Sequence, residues 1–158
     1  MLSQASLDKI AIEVAKYPAD QAQSAVMGAL RIAQTELGWV SPETMVTVAE
    51  ILDMPPVAVQ EVATFYNMYD LKPVGKHKIT VCTNLPCALS GSVDAADYIK
   101  SKLGIGFNET TADGQFTLKE GECMGACGDA PVLLHNNHKM CSFMSTEKID
   151  AMLQELAK

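Results

Sequence analysis

Basic residues are scarce in this sequence: 12 Lys and Arg stand against 19 Asp and Glu in 158 residues, a net charge of −7. Proteins that bind nucleic acid cluster Lys and Arg to displace counterions from phosphates, so that class is excluded. The same deficit gives no support to direct binding at an anionic membrane. Long apolar runs are also lacking. Arg31 interrupts the best stretch, Ala25–Ala33, well short of the roughly 20 residues a membrane helix needs. Asp8, Lys9 and Glu13 fall among the first apolar positions, where neither a secretory h-region nor an acid-free transit peptide accommodates them, so the expected location is the cytoplasm. There is no C-x-x-C dithiol for disulfide exchange. No G-x-G-x-x-G is present: Gly104-Ile105-Gly106 runs on to Glu109 and follows a helical pattern instead of opening one, so the chain is not expected to bind a nicotinamide nucleotide itself. No nucleophile–base set stands out.

What is present is unevenly distributed. Residues 1–72 hold 9 acids and 4 bases, residues 73–158 hold 10 and 8, and all five cysteines lie in the second part. The first part reads as helices. Val26, Leu30, Ala33 and Leu37 recur at helical spacing and Gly38 is placed as a stop. Ser41-Pro42-Glu43 opens a helix with a capping hydroxyl, a first-turn proline and an acid at the positive dipole end. Its buried face is Met45, Val48, Ala49 and Leu52. Pro55-Pro56 closes that helix and opens another, with Val59, Val62, Ala63 and Tyr66 on its face. Short helices need mutual packing, which predicts a helical bundle over 1–72, serving to dock a partner or to stabilise the chain. Met27, Met45 and Met68 read as core filler.

Lys72-Pro73-Val74-Gly75 is the expected joint, and 73–158 changes pattern. His77–Cys82 reads as a β-branched strand and Val93–Leu103 as a helix stopped by Gly104. Strands are expected at 115–119, 132–135 and 139–143, the last two joined through Asn136-Asn137, which tolerate positive φ. Ser145 caps a closing helix with Ile149, Met152, Leu153 and Leu156 inward. This order suits one sheet with helices against it, and the whole is α+β: a helical bundle followed by an α/β domain.

Without an export signal, cysteines point to metal or cofactor ligation instead of disulfides. Cys82 and Cys87 are separated by four residues, Cys123 and Cys127 by three, with 35 between the pairs. The first pair falls at a strand end and in the turn after it, the second in a loop holding Gly121, Gly125 and Gly128. Four soft thiolates select zinc or an iron–sulfur cluster. A [2Fe–2S] cluster, two irons long, suits the wider gaps, whereas zinc knuckles favour tighter ones; spacing alone leaves both open. Glycines let backbone N–H groups approach an anionic cofactor. Cys141, beside Met140 and Phe143, reads as a core residue in a buried strand. His77, His135 and His138 are not expected to ligate.

Several segments together resemble a known family, the thioredoxin-like [2Fe–2S] E subunit of NADH–quinone oxidoreductase (respiratory complex I). They are Ala63-Thr64-Phe65-Tyr66, Pro73-Val74-Gly75-Lys76-His77, Cys82-Thr83-Asn84-Leu85-Pro86-Cys87 and the run Glu122-Cys123-Met124-Gly125-Ala126-Cys127-Gly128-Asp129-Ala130-Pro131. Met124 stands where the family is expected to have leucine, and Tyr69 where it has phenylalanine. The resemblance implies a thioredoxin-like fold for 73–158 and one [2Fe–2S] cluster on Cys82, Cys87, Cys123 and Cys127. It also implies a flavoprotein partner, the F subunit, carrying FMN, the NADH site and a [4Fe–4S] cluster. The adjacent large iron–sulfur subunit is a second implied partner. The chain would then sit in the cytoplasmic peripheral arm of a membrane-bound complex and accept one electron from the partner's flavin, while being inactive toward NADH alone. Related subunits of NAD-linked hydrogenases and formate dehydrogenases are the alternative within the class, and a zinc-stabilised interaction module is the alternative outside it.

Overall fold

A computed structural model describes residues 1–158. The chain divides into two compact units, Met1–Pro73 and Val74–Lys158. No helix is long and apolar enough to cross a membrane.

The first unit is built from α1 (Gln4–Val14), α2 (Val26–Leu37), α3 (Pro42–Leu52) and α4 (Pro56–Phe65). Local chemistry sets their ends. The hydroxyls of Ser3 and Ser41 accept from the backbone N–H groups of Ser6 and Thr44, while Gly38 closes α2 at φ +82°. Ile10, Leu30, Val48, Leu52 and Val59 are fully buried between the helices. Two expectations fail here. Tyr66 lies beyond the end of α4 in extended backbone and is exposed. The core aromatic is Tyr69, one turn later, whose hydroxyl donates to the Met27 carbonyl at 2.8 Å. A phenylalanine there would leave that carbonyl without this donor. Met68 is 38% exposed instead of core, because the turn that brings Tyr69 inward carries its neighbour out.

The second unit holds β1 (His77–Cys82), α5 (Leu85–Leu89), α6 (Ser92–Leu103), β2 (Glu109–Thr110), β3 (Phe116–Gly121), β4 (Leu133–His135), β5 (Lys139–Cys141) and α7 (Thr146–Leu156). They form one sheet in the order β2-β3-β1-β4-β5. Only β1 and β3 run parallel, from His77 opposite Phe116 to Cys82 opposite Gly121; the other pairs are antiparallel. Ile79, Val81, Ile99, Leu118, Leu133 and Ile149 pack sheet against helices in one buried cluster. Asn136 and Asn137 make the β4–β5 turn at φ +48° and +59°. The final strand is shorter than expected and lies at the sheet edge. Cys141 is therefore half-buried, and Met140 and Phe143 are exposed, which corrects the reading of a buried strand.

Where β1 meets β4, His77 Nδ1 and His135 Nε2 lie 3.1 Å apart, so one neutral ring donates to the other. Burial foremost, then the Lys76 charge, holds His77 below the ordinary histidine range, partly offset by the Leu156 carbonyl. His135 is likewise lowered by burial, then by His77 and Lys139. The unfolded chain, with histidine near 6.5, takes up protons first as the pH falls. The stabilisation is thus complete above about pH 6.5 and is lost as the pH drops through the lower folded values. The expected result is a urea midpoint that declines in that range and a flatter decline in His135→Gln; an unchanged slope in the variant would show that the pair does not contribute.

Candidate iron–sulfur site

Because β1 and β3 are adjacent and parallel, the segments that follow them leave the sheet at the same end. Cys82 is the last residue of β1 and pairs with Gly121, the last of β3. Beyond that pair the backbone stays in register: the Cys82 N–H donates to the Val132 carbonyl and the Thr83 N–H to the Gly121 carbonyl, each at 3.2 Å. Pro86 in its first turn starts the single-turn helix α5. The helix turns Cys87 inward, 1% exposed, and Leu85 and Leu89 outward, 69% and 81% exposed. Cys87 therefore sits in a helical turn instead of the simple loop expected from the sequence, since five residues are too few for periodicity to show.

Cys82, Cys87 and Val132 form a small buried cluster of their own, and Met124, Ala126 and Ala130 of the second loop pack on it. The apolar residues that alternate with Cys123 and Cys127 thus fold the second loop onto the first. Cys123 and Cys127 themselves are exposed. Gly125, at φ +72°, lets the loop reverse, and its N–H donates to Cys123 Sγ at 3.4 Å. Gly121 is required for a different reason. A Cβ there would lie 2.6 Å from Thr80 Cγ2 and 3.0 Å from Met124 Cε.

Burial, then a hydrogen bond with Cys82, then the charges of Cys82, Cys127 and Cys123 push the Cys87 thiol up to about 11. Cys87 therefore lies close enough to the other three sulfurs for their charges to oppose its own ionisation. That is the property of a donor set whose thiolates need a cationic centre among them. The residues fit a [2Fe–2S] cluster. His77 opens β1 and Cys82 closes it, about 16 Å away at 3.3 Å per residue, which separates the histidine pair from the cysteines.

Two side chains at this end carried no mark in the sequence. The Thr83 hydroxyl donates to Glu120 Oε1 at 2.8 Å, joining residues 37 apart in sequence. No motif or spacing signals such a bond.

A family model described as thioredoxin-like [2Fe–2S] ferredoxin matches residues 10–157. The chain belongs to that family. Among individual relatives, it is 43% identical over 144 residues to the NADH-quinone oxidoreductase E subunit of Rickettsia bellii, covering 90% of this chain and 86% of the relative. It is 37% identical over 142 residues to NADH-quinone oxidoreductase subunit 2 of Thermus thermophilus, covering 90% and 78%. The fold resembles that of a chain in the crystal structure of an NAD+-reducing [NiFe]-hydrogenase in the H2-reduced state, with TM-score 0.73 at 19% identity. That match covers 84% of this chain but only 22% of the hydrogenase chain. The architecture is thus α+β with a thioredoxin-like character, and the relatives are subunits of an oxidoreductase complex.

Proposed function

We propose that the chain is an electron-transfer subunit of an NADH–quinone oxidoreductase and that Cys82, Cys87, Cys123 and Cys127 hold one [2Fe–2S] cluster. The observation that carries this reading is the packing of Met124 and Ala126, from between the second pair of cysteines, onto the buried first pair, within a chain of this family. When bound, the cluster supplies a one-electron site suited to the FMN of a partner flavoprotein, where NADH delivers two electrons together.

The chain's own residues prepare that site. The burial of Cys82 and Cys87 keeps water from two of the four sulfurs. The Gly125 N–H directed at Cys123 offsets negative charge on an exposed one. The helical unit serves as a docking element for the flavoprotein F subunit, and the adjacent large iron–sulfur subunit completes the peripheral arm on the cytoplasmic side. A diaphorase subunit of a hydrogenase or formate dehydrogenase would use the same four ligands, and the hydrogenase fold likeness keeps that reading in view. Co-purifying subunits distinguish the two.

The test is chemical analysis and EPR of the anaerobically purified protein. About two irons and two acid-labile sulfides per chain are expected, with a signal that appears on reduction. Stoichiometric zinc and no visible absorption would overturn the cluster. The isolated chain is expected to be inert toward NADH, and turnover by pure protein without a flavin partner would contradict the assigned division of labour.

A further inference from the structure

We infer that the Thr83–Glu120 hydrogen bond is a clasp that fixes the separation of the two cysteine-bearing segments, making Thr83 and Glu120 positioning residues for the cluster. The inference rests on the cluster assignment above and goes beyond it in naming residues that are not ligands.

Three observations lead there. Thr83 directly follows Cys82, and Glu120 lies three residues before Cys123, so each stands at the root of one segment. Thr83 reaches β3 twice, through its N–H to the Gly121 carbonyl at 3.2 Å and through its hydroxyl to Glu120 Oε1 at 2.8 Å. The side-chain bond is thus added just where the β1–β3 ladder ends. The acceptor is a carboxylate, which makes the bond stronger than one between neutral groups. As a surface bond it adds little to overall stability, so its effect is local. Residues 82–91 and 120–132 together carry Glu120, Glu122 and Asp129 and no Lys or Arg. Groups that orient ligands in this way commonly change metal affinity by about 10–100-fold when removed.

The experiment compares cluster loss in chelator, reduced-state EPR line shape and midpoint potential in the full chain and in Thr83→Val, Thr83→Ser, Glu120→Ala and Glu120→Gln. Thr83→Val and Glu120→Ala are expected to lose the cluster about 10-fold faster or more, with a broadened signal and a shifted potential. Thr83→Ser keeps the donor and is expected to retain the unaltered cluster's lifetime and line shape, while Glu120→Gln keeps an acceptor without its charge and is expected to fall between the unaltered chain and Glu120→Ala. Equal lifetimes and spectra in all variants would overturn the clasp. So would Glu120→Gln behaving like Glu120→Ala, because charge and not the bond would then be responsible. An unaltered chain that takes up no cluster overturns the functional reading itself, a result separate from any difference among variants. Circular dichroism of each variant identifies loss of fold, and the pairing of two independent positions keeps the test decisive if one fails to fold.

Discussion

Replacing Cys82 or Cys127 with alanine is expected to abolish the reduced-state EPR signal, while replacing Cys141 leaves it. The two substitutions take one sulfur from each cysteine-bearing segment. They differ sharply in surroundings, since Cys82 is buried with Cys87 and Val132 and Cys127 is exposed. A shared loss of signal in such unlike places would reflect ligation and not packing. Cys141 supplies the control. It lies on the edge strand opposite Leu133 and packs, half-buried, with the main apolar cluster of the sheet. Its loss trims a small hydrophobic contact and leaves the four proposed ligands in place. Disappearance of the signal in Cys141→Ala would show that the ligand set is wrong.

Gly121→Ala is expected to destabilise the second unit by about 1–3 kcal/mol, the usual range for forcing an added carbon into a packed place. The new Cβ would meet Thr80 Cγ2 at 2.6 Å, closer than real contacts allow, and Met124 Cε at 3.0 Å. Met124 is flexible and can yield. Thr80 is β-branched and held in β1 opposite Lys119, so its methyl cannot swing away cheaply. Thr80→Ser removes that methyl. The double variant Thr80→Ser/Gly121→Ala is therefore expected to recover part of the lost urea midpoint. A single Gly121→Ala variant as stable as the parent would refute the packing argument. Because Gly121 opposes Cys82 across the ladder, slower cluster uptake is expected alongside the loss of stability.

Much of the fold could be read from residues that act on their immediate neighbours. Ser41 and Ser145 cap helices, Gly38 and Gly104 end them in left-handed backbone, and Asn136-Asn137 turn a hairpin, each through chemistry confined to a few positions. The failures share the opposite property. Tyr66 continues the apolar periodicity of α4, yet the chain leaves the helix at Phe65, and the turn that follows buries Tyr69 instead. Phe143 is exposed at φ +53° because its N–H is tied to the carbonyl of Asp129, a partner no local pattern announces. Two-residue β2 and five-residue α5 are too short to carry a period. At the candidate site the cysteines are visible as a set of ligand-type residues with a suggestive spacing. That their loops pack on one another, through Met124 and Ala126, depends on which strands are neighbours, and this is a property of the folded sheet.

The parallel pairing of β1 with β3 has a consequence for how such a chain can vary. The gap between Cys82 and Gly121 is one strand spacing, about 4.8 Å, set by the ladder and not by the length of chain that connects the strands. After α5, which carries Cys87, the connection runs through α6 and the two-residue β2 before it returns. Residues can be inserted or deleted along that path, most freely in the turn around Gly104, without moving either anchor. Length is therefore constrained within each cysteine pair and free between them, and sequences of this kind can drift in size at their middle while the two short segments keep their count.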